Sequence, residues 1–125
     1  EAIELYKLVI IKDNQNKTAK DYLLKAYIAQ GDSCFADGNY RKAVASYEDA
    51  LKMDAYNPLL YINIANAYEK LGSKSKVVEY YERAMEIAPE NKDVLSSYAK
   101  TLTKFDKTED AKVVYEKALQ TEVPF

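Results

Sequence analysis

Small and apolar residues return along this chain in two superposed rhythms. In the stretch Ala43 to Leu51, residues 43, 47, 50 and 51 are spaced i, i+4, i+7, i+8, which is one stripe of an α-helix. The stripe recurs at a fixed interval. Tyr47, Tyr81 and Tyr115 are equally spaced, and the same step separates Glu48, Glu82 and Glu116; Ala50, Ala84 and Ala118; and Leu51, Met85 and Leu119. A second stripe precedes it and keeps the same period: Tyr27, Tyr61, Leu95; Gly31, Ala65, Ala99; Cys34, Tyr68, Leu102. A single helix cannot generate so long a period, which instead marks one supersecondary unit stacked on copies of itself. The predicted unit is two helices joined by a short turn.

Taken in order, residues 1–16 are expected to be the second helix of a partial unit, because Ala2, Tyr6, Val9 and Ile10 keep the spacing of Ala43, Tyr47, Ala50 and Leu51. The run Asp13 to Asn16 ends it. The phase then slips, since the step from Ala2 to Ala43 exceeds the step from Ala43 to Val77 by seven positions. Seven extra positions are almost two helical turns, so a lengthened first helix absorbs them with little change of facing. Thr18 is its expected N-cap, with Asp21 three positions on. Gly31 lies inside that helix at a cost of about 1 kcal/mol relative to Ala, and a close approach of paired helices there would explain it.

The first full unit spans 17–57, with a turn at Asp37-Gly38-Asn39 and a second helix from Tyr40 to Met53. The next spans 58–91, with helices from Pro58 to Leu71 and Lys74 to Ile87 around Gly72-Ser73. Pro58 is harmless at a first helical turn, where its missing N–H has no partner to lose. The last unit spans 92–125, with Asp106 in the place of the turn glycines and a final helix from Thr108 to Gln120. Asp tolerates left-handed backbone better than most residues. Thr121 to Phe125 lose the pattern and are expected to fray.

These columns resemble the tetratricopeptide repeat family, which shares this period, and the resemblance covers essentially the whole chain. The family's small residues are matched by Gly31, Ala65 and Ala99, by Ala43, Val77 and Ala111, and by Ala50, Ala84 and Ala118; its closing proline is present only as Pro89. The resemblance implies an all-α fold, a right-handed α-solenoid of antiparallel helix pairs with about seven helices. A solenoid buries its core between neighbouring units rather than around one centre.

Composition narrows the functions. The content is 48% hydrophobic and 30% charged, ordinary for a helical domain, and a net charge of −2 provides no basic field for nucleic acid. The longest apolar run, Leu8 to Ile11, is far short of the roughly 20 residues of a membrane span. The first residue is not Met and already lies inside a helical pattern, so a fragment of a longer repeat protein is expected and the compartment stays open. Histidine is absent, which removes the commonest general base and metal ligand. Cys34, the single cysteine, shares a column with Tyr68 and Leu102 and reads as a small core residue. Adjacent carboxylates such as Glu48-Asp49 diverge on a helix. Gly31, Gly38 and Gly72 are too scattered for a phosphate loop. The repeat tyrosines fall on packing columns. No enzyme, metal or cofactor is expected.

What remains is a surface, and the family resemblance says which one. Such arrays line a concave groove with first-helix side chains and hold a peptide or helix of another protein there. Carried onto this chain, the groove would comprise Lys25, Ile28, Ala29, Asp32, Phe35 and Ala36; then Leu59, Ile62, Asn63, Asn66, Glu69 and Lys70; then Asp93, Ser96, Ser97, Lys100, Thr103 and Lys104. Ile28, Phe35, Leu59 and Ile62 stand off the packing columns, which makes them candidate ligand contacts. Asn63 matches an asparagine with which some members hold an extended backbone. Members that clamp the carboxylate tails of chaperones use a basic and amide cluster; here Ile28, Asp32, Asn63, Asp93 and Ser97 occupy those places, and the two aspartates would repel a carboxylate.

The leading expectation is a non-catalytic interaction module for a peptide or amphipathic helix, with a groove that is apolar towards its first unit and basic at Lys100 and Lys104. Two other readings are self-assembly into a homo-oligomer through apolar faces at the ends of the stack, and a substrate-docking arm of a larger enzyme.

Overall fold

The computed structural model describes residues 2–13 and 15–122, the side chains of 118–122 excepted. Asn14, the side chains of Ala118 and Leu119, and the segment from Val123 to Phe125 named in the sequence reading lie outside the described residues. The described chain is seven α-helices: α1 (Ala2–Lys12), α2 (Lys17–Ala36), α3 (Tyr40–Met53), α4 (Pro58–Leu71), α5 (Lys74–Ile87), α6 (Lys92–Lys104) and α7 (Thr108–Glu122). They form two compact units, Glu1–Ala55 and Tyr56–Phe125.

An asparagine caps each first helix. The side-chain oxygen of Asn16 accepts from the N–H of Ala19 at 2.9 Å, that of Asn57 from Leu59 at 3.1 Å and that of Asn91 from Val94 at 3.1 Å, each satisfying an N–H that the helix leaves unpaired. Thr18 is therefore not the cap; it lies inside α2, one residue past its start. The caps preserve the phase slip: Asn57 and Asn91 stand one regular period apart, and the step from Asn16 to Asn57 is longer by the same seven positions. The extra residues extend α2 at its N-terminal end, giving one unbroken helix of 20 residues against 14 in α4.

The turns after the first helices are copies of one another. Gly38 and Gly72 have φ of 80° and Asp106 has φ of 61°, the only non-glycine residue at positive φ among those described. In each turn the next N–H reaches back to a carbonyl five residues earlier: Asn39 to Cys34 at 2.8 Å, Ser73 to Tyr68 at 3.0 Å, Lys107 to Leu102 at 2.9 Å. The helical backbone of α7 continues through Glu122, one residue past Thr121.

In the first unit α2 packs against both α1 and α3. Tyr6 of α1 stacks on Tyr22 in the extended part of α2, with ring centroids 5.6 Å apart. Ala19, Leu23, Tyr27, Ala43, Tyr47 and Ala50 are buried. Gly31 faces the ring of Tyr47. In the second unit the pairs α4–α5 and α6–α7 are joined by contacts of α6 with both α5 and α4. Leu60, Ile64, Val77, Tyr81, Val94, Leu95 and Leu102 fill its core. Tyr81 stacks on Tyr98 at 5.2 Å, and Lys74 at the start of α5 lies 5.2 Å over the Phe105 ring at the end of α6.

The tyrosine column is uneven. Tyr47 and Tyr81 are buried, but Tyr115 is 42% exposed. Tyr81 has the following first helix to stack on; among the described residues no helix follows α7.

Candidate interaction surface

The first-helix side chains proposed to meet a ligand divide by unit. In the first, Asp32 is exposed and its carboxylate accepts the hydroxyl of Tyr47. Phe35 is half-buried and meets Tyr40 edge-on at 5.1 Å, so its apolar character is accounted for by closing the turn between α2 and α3. Ile28 is half-buried.

In the second unit, Leu59 is 53% exposed, whereas Ile62, expected beside it as a contact, is only 8% exposed. Ile62 is correspondingly a core residue, on the same helix as buried Leu60 and Ile64. Asn63 and Ser97 are half-buried, and Lys70 and Lys100 are exposed. Asn66 is half-buried and sits 3.5 Å from the Tyr81 hydroxyl, which points at it as Tyr47 points at Asp32. The expected basic end is weaker than the sequence suggests, because Lys104 Nζ lies 3.1 Å from the Glu69 carboxylate and is partly neutralised. That pair links α6 to α4, so the two first helices of this unit present their side chains on one shared face.

Burial raises the phenols of Tyr47, Tyr81 and Tyr98. It pushes the Tyr98 hydroxyl up to about 12, with the carboxylates of Glu82 and Asp110 adding to the shift. Tyr81 is raised mainly by burial, and Tyr47 by burial and then by its bond to Asp32. All three stay protonated at neutral pH. Among the described residues no group of three or more Cys, Asp or Glu side chains is placed to hold a metal ion, and no helix is long and apolar enough to cross a membrane.

Two features escaped the sequence reading. Tyr80 is buried, stacks on Tyr68 at 5.6 Å and carries the Arg83 guanidinium 5.0 Å above its ring; its column otherwise holds Ser46 and Val114 and shows no aromatic pattern. An open cleft of about 700 Å³ in the first unit has Leu23, Leu24 and Met53 in its lining. Lys17, Lys20 and Lys52 stand around it with Asp21 and Asp49, so its rim carries both signs.

Two family profiles, "TPR repeat" and "Tetratricopeptide repeat", match residues 31–72 and 58–91 respectively. The chain belongs to the tetratricopeptide repeat family. Its helix pairs make it an all-α fold of the solenoid type. The TPR repeat-containing thioredoxin TTL4 of Arabidopsis thaliana is 38% identical over 73 residues, 58% of this chain and 10% of that protein. The photosystem I assembly protein Ycf3 of Rippkaea orientalis is 29% identical over 115 residues, 84% of this chain and 65% of that protein. The chain thus spans a small part of the first relative and somewhat under two thirds of the second. Among solved structures, the first TPR of Spaghetti (RPAP3) bound to the HSP90 peptide SRMEEVD superposes with a TM-score of 0.70 at 26% identity, over 79% of this chain and 80% of that one.

Proposed function

We propose that this tetratricopeptide repeat chain, with repeats at 17–57, 58–91 and 92–125, is a non-catalytic protein interaction module. Its first-helix face would hold an extended peptide or amphipathic helix of a partner protein. The observation that carries this is Leu59. Its α4 neighbours Leu60, Ile62 and Ile64 are buried, yet Leu59 is exposed one helical turn from Asn63. A bare aliphatic beside an amide that can both donate and accept suits a segment with an apolar anchor and an unpaired backbone. Lys70 and Lys100 would favour acidic residues flanking that anchor. Peptide binding by the similar Spaghetti domain supports the reading.

The test is the double substitution Leu59→Ala with Asn63→Ala, used as bait beside the unchanged chain in affinity capture with quantitative mass spectrometry. Proteins held by the unchanged chain should be lost from the double variant, while the melting temperatures differ by no more than about 2 °C. Equal capture by both baits would remove this face from the binding function.

A further inference from the structure

The seven added residues of α2 have no counterpart in the helix it pairs with. Counted back one regular period from Pro58, where α4 begins, α2 would begin at Leu24, so positions 17–23 are the addition. Its partner α3 is not lengthened to match, having 14 residues like α5. The register of the pair shows where α3 stops. Phe35 of α2 meets Tyr40 at the start of α3 and Gly31 meets Tyr47, so Met53, the last residue of α3, reaches about the level of Leu24. The stripe that α2 turns to α3 therefore runs on past its partner. At helical spacing this stripe is Gly31, Tyr27, Leu24, Lys20 and Lys17, so it changes from apolar to basic where α3 ends. The open cleft of about 700 Å³ lies there. Ile10 of α1 and Met53 of α3 line it together with Leu23, Leu24 and Tyr27 of α2, so the helices on both sides are already in place.

We propose that this cleft binds an aliphatic carboxylate, with the tail at its Leu24 end and the head group between Lys20 and Lys17. Its volume falls within the range of about 300–1,000 Å³ usual for small-molecule sites, which are lined mostly by apolar side chains with a few polar groups. Five apolar residues from three helices are available to the tail, and Met53, unbranched and polarisable, adapts to a flexible chain. The charges around the cleft are not equivalent. Asp49 is engaged by Lys52 at 3.6 Å, whereas Lys17 and Lys20 are exposed and, among the described residues, make no ion pair. Asp21 is exposed as well, but it stands one position off the stripe, at the rim. Two free ammonium groups one helical turn apart, against one carboxylate at the edge, favour an anionic head. None of these residues belongs to the α4–α6 face, so the site is separate from the peptide-binding one.

Titration of the chain with decanoate and with decyltrimethylammonium, below their micelle-forming concentrations, decides it by methyl NMR. The two probes share a tail and differ in the sign of the head. Decanoate should bind one-to-one with a dissociation constant of about 1 mM or less, its shifts confined to the methyls of Ile10, Leu23, Leu24 and Met53. Decyltrimethylammonium should bind at least about fivefold more weakly. Lys17→Gln with Lys20→Gln should weaken decanoate roughly fivefold, and Met53→Glu should abolish its binding. Asp21→Asn should tighten it roughly twofold, a gain that fold damage cannot produce. Far-UV circular dichroism checks that each variant keeps its helices. Shifts that do not saturate or that scatter over the chain, decyltrimethylammonium binding as tightly as decanoate, or indifference to the lysine substitutions would overturn the proposal. Binding of neither probe would also overturn it, and would leave the cleft to a side chain of a partner protein.

Discussion

A β-carbon on Gly31 would stand 2.6 Å from Cε1 of Tyr47. The first helix of this repeat and the ring from its second are therefore in direct contact, and the hydroxyl of that ring is held by Asp32, one residue after the glycine. Ala is intrinsically better than Gly in a helix by about 1 kcal/mol. Here the contact outweighs it, because a buried, tethered ring cannot move aside without disturbing its surroundings. Gly31→Ala is expected to lower stability by about 1–3 kcal/mol, read from urea unfolding. A gain in stability would show that the ring yields.

The turn after α6 offers the opposite case. Asp106 occupies left-handed backbone that Gly38 and Gly72 adopt without penalty. Asp106→Gly should stabilise the second unit by a few tenths of a kcal/mol to about 1 kcal/mol, and Gly72→Ala should destabilise it by a similar amount. Differential scanning calorimetry should show melting shifts of opposite sign.

Buried phenols set the alkaline limit. Tyr98 is raised from 10.0 to about 12, so between those values the folded chain holds a proton that the unfolded chain has released. Unfolding is then favoured as pH rises: the contribution is complete below about pH 10 and lost by the time the folded group itself ionises. Tyr47 and Tyr81, raised in the same direction, act alike. Urea midpoints should fall from about pH 8 to about pH 11, and the fall should be smaller in Tyr98→Phe. A midpoint that rises over this interval would contradict the assignment.

The family resemblance implies that Asp32 and Asp93 would take places where carboxylate-clamping members use basic or amide groups, and both are exposed. The peptide SRMEEVD, seen on the Spaghetti domain, is therefore expected not to bind here at low micromolar concentration. Isothermal titration checks this. Binding that strengthens in Asp32→Asn with Asp93→Asn would locate the repulsion.

Much of this architecture could be read directly from spacing. The repeat period, the glycine and aspartate turns and the seven-position slip are local statements about backbone geometry, and each residue carries its own share of the signal. The cap of α2 was legible as well, in the series Asn16, Asn57, Asn91, but a threonine two positions further on competed for the same role. The surface was less legible. Leu59 and Ile62 are both aliphatic residues of α4 outside the repeat columns, and only the packed helices show that one is bare and the other buried. Likewise Lys104 counts as a free cation until the fold brings Glu69, 35 residues away, within 3.1 Å. The sequence alone determined the helices, their order and the family, because helical period and turn chemistry act between near neighbours. Tertiary structure alone decided which side chains meet solvent and which charges meet each other, because those depend on distances between segments that no local pattern encodes.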